Sequence, residues 1–499
     1  QSRVGRVLEK GTAGEGPRKG LPGWKKSINS HEAFTHDSID SLGYDWERIS
    51  NPSIAPKFPL KIYLPQTTED IVKVVKEVKE LGEKLTIRAK GHSSNDLVLG
   101  EGGPIMLTEK LGDLIEVDEE NLTATVQGGA VSANIDDALA QKGFGLPIIG
   151  DHNHVTVGGF ISVGGISPAS HRFGLFVDNV LELELVTWDG EVVRCSREEN
   201  SELFHKVLCG LGREGVIATV KVRIIQVDKF TTVLKNHQKH YRKVNDFVKA
   251  SGRRLRKPGD ALYERGVFVN LPLKSGRLLT LGQFSAYHPT SQSPYKTRRD
   301  KLAYNLLHSL GFVAGKLPAK VDRLVKTAGQ LGVIFSPKWA TYKNVEFFAD
   351  KILDATVGEP GRMFIILAPL DDYDELFHKG YNMMLDYRER YGCFSFVSVY
   401  VKSIKSPYLA NGRAKDQYSE MMFFNGVTEK MTPEILEELA IRLDDLTIEH
   451  GGFRYMHTKT SKDPERRRKI DPNAQYHVQS HQIEAGAEEL TAEPSGTSV

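Results

Sequence analysis

The sequence predicts an α+β protein in two parts rather than a doubly wound parallel sheet, and three observations carry this. Two glycine-rich loops lie in its first half. Hairpin signals alternate there with helical periodicity, which is the pattern of a mixed sheet. The chain changes character near residue 230, after which elements are longer and richer in aromatics. Its 499 residues suffice for two or three domains, and 40% hydrophobic content supports full cores.

Taken in order, residues 1–30 are rich in Gly, Lys and Ser without apolar period, and read as a mobile arm. Pro59 to Pro65 is a short strand. Thr68 caps a helix whose apolar face is Ile71, Val74, Val75, Val78 and Leu81. Leu85 to Arg88 is a strand that delivers the first glycine loop. Leu114 to Val117 and Leu122 to Val126 pair around a turn. Val131 to Lys142 is a helix closed by Gly143. Leu181 to Thr187 and Glu191 to Cys195 flank the hairpin signal Asp189-Gly190. Ser201 to Leu208 is helical, and Val216 to Gln226 is one long alternating strand. Farther on, Phe364 to Leu367 and Phe394 to Val401 are strands around a helix from Leu376 to Glu389. A last long helix starts at Thr432 and Pro433 and stops at Gly451-Gly452. The small, polar tail from 484 to 499 reads as disordered.

The charge is balanced, 66 basic against 64 acidic residues, so no global field favours nucleic acid or a membrane surface. The basic run Arg253 to Lys257 reads as a solvated loop. Three cysteines do not make a disulfide framework. No stretch has the length of a transmembrane helix. No signal-like segment opens the chain, which places it in the cytoplasm unless a leader was removed before Gln1.

The chemistry lies in the two loops. The first is Arg88-Ala89-Lys90-Gly91-His92-Ser93-Ser94. The second begins Thr156-Val157-Gly158-Gly159 and runs through Ser162 to Gly165-Ile166-Ser167. Glycines let backbone approach an anion closely, and successive N–H groups converge on phosphate oxygens. Neither loop is a GxGxxG or a Walker loop. Together they point to a dinucleotide held outside a Rossmann fold.

At these motifs, and at Leu211-Gly212 and Gly215-Val216-Ile217, the chain resembles the FAD-linked oxidases and dehydrogenases of the vanillyl-alcohol oxidase and para-cresol methylhydroxylase (PCMH) type. Its flavin domain is most similar to that of cytokinin dehydrogenase, over roughly residues 55–225. The resemblance implies a PCMH-type FAD-binding domain over 31–230. A second α+β substrate domain over 231–445 is inserted before a C-terminal return over 446–483. Ala89, Lys90, Gly91, Ser93 and Ser94 would hold the diphosphate of FAD, and His92 would be covalently joined to the flavin. Thr156, Gly158, Gly159, Ser162, Gly165, Ile166 and Val216 would line it. Asp151 stands where cytokinin dehydrogenases keep their catalytic aspartate. The implied reaction takes a hydride from a C–H next to nitrogen or oxygen of a small molecule. Oxygen or another acceptor then reoxidises the flavin.

From the residues alone, other readings stay open. His92 also fits a solvated loop histidine. Asp151 also fits a turn cap or a partner of His152 or His154. No metal site is predicted, because His152 and His154 lack a supporting ligand cluster. Ser170 to Phe176 and Arg194 to Phe204 are similar to delta-24 sterol reductases, which implies alkene reduction instead. Gly451 to Tyr455 with Lys459, followed by Ile470-Asp471-Pro472-Asn473, is similar to the end of sugar and aldonolactone oxidases. Lys459 is offset from that pattern and reads as a surface lysine. A non-catalytic flavin-binding module is the reading from another class.

Overall fold

The computed structural model describes residues 42–45, 57–151, 153–272, 278–291, 338–346, 361–412 and 416–474, with Arg298 and Leu302. The arm expected over 1–30, the tail over 484–499 and His152 lie outside the described residues.

The first stretch runs β1 (Lys61–Tyr63), α1 (Thr68–Glu80), β2 (Thr86–Arg88), β3 (Pro104–Leu107), β4 (Leu114–Asp118), β5 (Thr123–Gln127), α2 (Ser132–Ala140) and β6 (Phe144–Gly145). It continues with α3 (Val157–Val163), α4 (Ser170–Phe173), β7 (Val180–Thr187), β8 (Val192–Ser196), α5 (Ser201–Val207), β9 (Gly215–Arg223) and β10 (Ile225–Gln226). The remainder is β11 (Val233–Tyr241), α6 (Val244–Arg256), β12 (Tyr263–Pro272), β13 (Leu278–Thr290), β14 (Trp339–Thr341), β15 (Gly361–Pro369) and α7 (Tyr373–Tyr391). It ends with β16 (Phe394–Lys405), α8 (Pro407–Ala410), β17 (Gln417–Val427), α9 (Pro433–Glu449), β18 (Phe453–Arg454) and α10 (Pro464–Ile470).

These strands form a three-stranded parallel sheet β1-β3-β2, an antiparallel five-stranded sheet β4-β5-β9-β7-β8 and an eight-stranded sheet β14-β11-β13-β12-β16-β17-β15-β18. The mixed α+β architecture is therefore the one expected. The period-2 alternation of strands divides the large sheet between two cores. Phe364 and Ile366 of β15, Val399 and Val401 of β16, and Met421 and Phe423 of β17 pack on α6, α7 and α9. Ile365, Tyr400, Met422 and Phe424 point the other way, into a core that also holds Val126, Leu183 and Val220 of the five-stranded sheet. One apolar interior thus joins the two large sheets.

Several local expectations are corrected. The first helix is capped by Thr67, whose hydroxyl accepts from Asp70 N, and not by Thr68. The strand expected over 216–226 breaks at Ile224 into β9 and β10, which pair with different partners. The basic run at 253–257 is the last turn of α6 rather than a loop. There Arg254 lies over the ring of Phe284 and Arg256 pairs with Asp374. Cations at a helix C-terminus are favoured by the macrodipole. Strands β11, β12 and β13 had no clear sequence signal. The run Tyr263 to Leu271 is buried almost throughout, so it shows no polar alternation to read.

The chain returns through β18 at the edge of the large sheet. Arg454, fully buried, donates to Asp444 Oδ1 at 2.5 Å, to Ile365 O at 3.0 Å and to Lys459 O at 2.6 Å. Farther on, Asn473 donates to Leu208 O at 2.8 Å and Asp471 pairs with Arg213. Arg454→Met would leave the Asp444 carboxylate buried without its cation. It should destabilise the protein by about 3–5 kcal/mol, read from the midpoint of denaturant unfolding at constant slope.

Candidate functional site

The first glycine loop leaves β2 at Arg88. That guanidinium is buried and donates to Tyr44 O at 2.9 Å and Val98 O at 3.3 Å, so it anchors the loop instead of reaching a ligand. Burial lowers its pKa to about 10. Gly91 sits at φ +75°, which favours glycine. Asn95 and Asp96 are also left-handed, at φ +63° and +61°. The returning chain holds Asn95 there, and Asp96 N donates to Asp45 Oδ2 at 3.2 Å. Asn95 Nδ2 donates to Thr458 O at 2.8 Å, its Oδ1 accepts from Thr460 N at 3.2 Å, and Ser94 N donates to His457 O at 2.7 Å.

The second loop starts at Thr156, the N-cap of α3, whose hydroxyl accepts from Gly159 N at 3.2 Å. Gly158 N donates to Gly128 O at 2.7 Å, and a Cβ there would stand 2.8 Å from that same oxygen. Ser162 Oγ donates to Gly158 O at 2.8 Å. Gly165 N donates to Tyr455 Oη at 3.0 Å. A third segment comes alongside, Leu211 N donating to Ser162 O at 3.0 Å.

These segments enclose a cavity of about 230 Å³. Ala89, Lys90, Gly91, His92 and Ser93 line it on one side. Thr156, Gly158, Gly159, Ser162, Ile166 and Val216 line it on another. Asp151 reaches its wall as well. Ser94 and Gly165 do not line it; both support it from behind through their bonds to the returning chain. The residues present fit a dinucleotide: three backbone segments rich in glycine face one cavity, and Lys90 stands at the loop expected to meet phosphate.

The far wall was not read from the sequence. It is the second face of the large sheet, with Met363, Ile365, Met422 and Phe424 as its apolar part, and Tyr455 and His457 of the returning chain beside it. Its polar part is an ion triad. Lys402 Nζ lies 2.5 Å from Asp151 Oδ2 and 2.7 Å from Glu420 Oε2, and the lysine side chain is 2% exposed. Burial alone would lower the Lys402 pKa; the two carboxylates reverse this and raise it. Burial raises the Glu420 pKa, against the pull of Lys402. The carboxylate of Asp151 therefore takes a lysine from β16, 251 residues away, as its hydrogen-bond partner. Such a partner has no local sequence signal. A buried Lys in an alternating strand was the available hint.

Lys459 is corrected: it is buried, with Nζ 3.6 Å from Glu437 Oε2, and does not line the cavity. Among the described residues, Glu375, Glu449 and His450 approach each other as metal ligands would. The ammonium of Lys379 already bridges the two glutamates, at 2.8 and 2.6 Å.

Asp151 also faces a smaller cavity behind the first, beside Tyr263, Glu264 and Glu346. Both carboxyl oxygens of Glu264 are buried without a hydrogen-bond partner. Burial pushes its pKa from 4.5 up to about 8. The folded protein then holds a proton that the unfolded chain releases above its ordinary pKa. This stability is present below pH 4.5 and is lost as pH rises through about 8. Glu264→Gln should remove up to about 4 kcal/mol of that decline, so parent and variant converge in acid and diverge near pH 8 in denaturant titrations.

Comparison with known proteins agrees with this geometry. Residues 59–196 match the FAD-binding domain family. Cytokinin dehydrogenase 2 of Arabidopsis thaliana is 30% identical over 234 residues, 44% of this chain and 46% of the relative. Cytokinin dehydrogenase 1 of the same plant is 36% identical over 172 residues, 33% of this chain and 30% of the relative. Delta(24)-sterol reductase of Homo sapiens is 34% identical over 170 residues, 33% of each chain. The chain spans less than half the length of these curated relatives. FAD is the cofactor of the matched domain. No helix among the described residues is long and apolar enough to cross a membrane.

Proposed function

We propose that this chain, whose residues 59–196 match the FAD-binding domain family, is an FAD-linked oxidoreductase that oxidises a small, largely apolar amine or alcohol at the carbon bearing the heteroatom. FAD, when bound, supplies the acceptor for the hydride equivalent. Ala89, Lys90, Gly91 and Ser93 would hold its diphosphate, and His92 would be its covalent attachment point. The observation that carries the reading is the two-part wall opposite the glycine loops. Met363, Ile365, Met422 and Phe424 suit a hydrocarbon body, and Asp151, Lys402 and Glu420 suit one polar group.

The triad carries one positive and two negative groups when fully ionised. In a low-dielectric pocket that net charge disfavours carboxylate or phosphate substrates and favours a neutral hydroxyl or an amine. Asp151 takes the heteroatom proton as the C–H bond is broken, and the triad then becomes neutral. Lys402 holds the Asp151 carboxylate in place and ionised beforehand. This division of labour is general base catalysis with a positioning lysine. Residues 231–445 supply Lys402, Glu420 and the apolar wall, so that segment would set the substrate. The ion triad in the cavity wall opposite the glycine loops supports an enzyme over a closed flavin-binding module. The sugar-oxidase reading loses its lysine, because Lys459 stays off the cavity. Alkene reduction is the second reading, supported by the similarity to the sterol reductase and by the apolar wall.

His92→Ala should leave the flavin extractable by acid precipitation while the protein folds and still binds it through the loops. Colour retained in the acid pellet of that variant would overturn the attachment. Asp151→Asn should slow anaerobic flavin reduction by about 100- to 10,000-fold. The substrate set is isopentenyladenine, a cytokinin, together with apolar secondary amines and alcohols. Reduction as fast as in the parent would make Asp151 structural. Reduction by NADPH, but by none of the amines or alcohols, would select the reductase reading.

A further inference from the structure

Behind Asp151 the structure holds a chain of buried titratable groups that the reaction above does not use. The small cavity of about 20 Å³ is bordered by Asp151 on one side and by Tyr263, Glu264, Arg265 and Glu346 on the other. That volume accommodates a water molecule, and the carboxyls around it supply polar partners. From Tyr263 the bonds continue without a break. Tyr263 Oη donates to Glu346 Oε1 at 2.6 Å. Lys229 Nζ donates to the same oxygen at 2.6 Å and to Asp136 Oδ1 at 2.8 Å. Lys343 Nζ bonds Asp136 Oδ2 at 2.5 Å and Asp137 Oδ1 at 2.8 Å. The side chains of Lys229 and Asp136 are completely buried and that of Glu346 is 1% exposed, whereas Asp137 is 47% exposed.

We propose that this row, from the cavity beside Asp151 through Tyr263, Glu346, Lys229, Asp136 and Lys343 to Asp137, is a proton path between the active-site base and bulk water. The inference rests on the proposed role of Asp151, whose proton must leave before the next turnover. The main cavity is the wrong exit while cofactor and substrate fill it. In the transfer, the Asp151 O–H bond breaks as the cavity water takes the proton and passes one on to Glu346 by way of Tyr263 or directly. Lys229 gives a proton to Asp136 as it receives one from Glu346, and Lys343 repeats this between Asp136 and Asp137. Each group regains its starting state. The net change is one proton moved to solvent, with no oxidant or reductant consumed.

The carboxyls at the cavity end suit the task, whereas Glu346 and Asp136 hold Lys229 charged, so the lysine must receive one proton and give another in a single step. Burial pushes Glu346 up to about 7, against the pull of Lys229, and pushes Glu264 up to about 8. Glu346 stands in the row, and Glu264 borders the same cavity beside it. Asp136 stays low despite its burial because Lys229 and Lys343 flank it. A purely structural ion cluster would need neither carboxyls facing a cavity nor a continuous link from that cavity to the surface.

The test needs no substrate. The FAD-loaded protein is jumped from about pH 6 to about pH 9, on either side of the Glu264 pKa, in a stopped-flow infrared cell. The carboxylic-acid C=O band of Glu264 is identified by its absence in Glu264→Gln. Its disappearance should slow by about tenfold or more in Tyr263→Phe and in Glu346→Gln, with amplitude kept. Tyr263→Phe removes a single oxygen from the row and keeps the fold testable if Glu346→Gln proves unstable. Three results would overturn the path: unchanged rates in Tyr263→Phe and in whichever Glu346→Gln protein folds, slowing in Asp151→Asn alone, or no band assignable to Glu264. If the band slows as expected while Asp151→Asn leaves flavin reduction intact, the path stands and the assignment of the base falls.

Discussion

The returning chain from Arg454 to Thr460 is the constraint on which the site depends. It begins as an edge strand of the large sheet, held by the Arg454–Asp444 pair inside the core. Within a few residues it binds both glycine loops, through Tyr455 Oη on Gly165 and through main-chain groups on Ser94 and Asn95. The left-handed backbone at Asn95 carries a conformational cost of order 1–3 kcal/mol and persists because these bonds over-determine it. The geometry of the cofactor cradle is thus set by residues far away in the chain.

A second constraint is the pleat of the eight-stranded sheet. Because side chains alternate, β15, β16 and β17 can bury one set of apolar residues under α6, α7 and α9 and still present a different set to the cavity. A one-residue slip would exchange Glu420 and Met422 for Met421 and Phe423, and would put the carboxylate under the helices. The helices on the far face therefore do more than cover the sheet: their packing fixes the register that delivers Lys402 and Glu420 to Asp151.

Buried charge is concentrated in this protein where chain segments distant in sequence meet. Lys229, Asp136, Lys343 and Glu346 come from three separate stretches, as do Asp151, Lys402 and Glu420. Buried ion pairs contribute little net stability against apolar alternatives, but losing one partner is severe. Their value lies in specificity of contact and in chemistry. Both clusters border a cavity that also touches Asp151, which is where a protein with a proton to move has use for ionisable groups.

The glycine loops, their strand-loop contexts and the α+β character were legible because each rests on local rules. Positive φ selects glycine, capping selects Thr432, and hairpin turns select Asp189-Gly190. The family resemblance carried by those loops, rather than the local rules themselves, led to most of the cofactor-side lining, from Ala89 to Ser93 and from Thr156 to Val216. The substrate-side wall obeyed no local rule. Lys402 looks like any lysine in a strand until β16 is placed opposite Asp151, and Lys459 looks like a surface lysine until Arg454 draws its backbone inward. Strand β12 gave no signal because burial on both faces erased its alternation. The sequence by itself determined where the backbone could turn and approach a ligand, since that is decided within a few residues. Which side chains share a pocket, and which charge is paired with which, was decided only by tertiary structure, because those energies depend on burial and on distances between segments hundreds of residues apart.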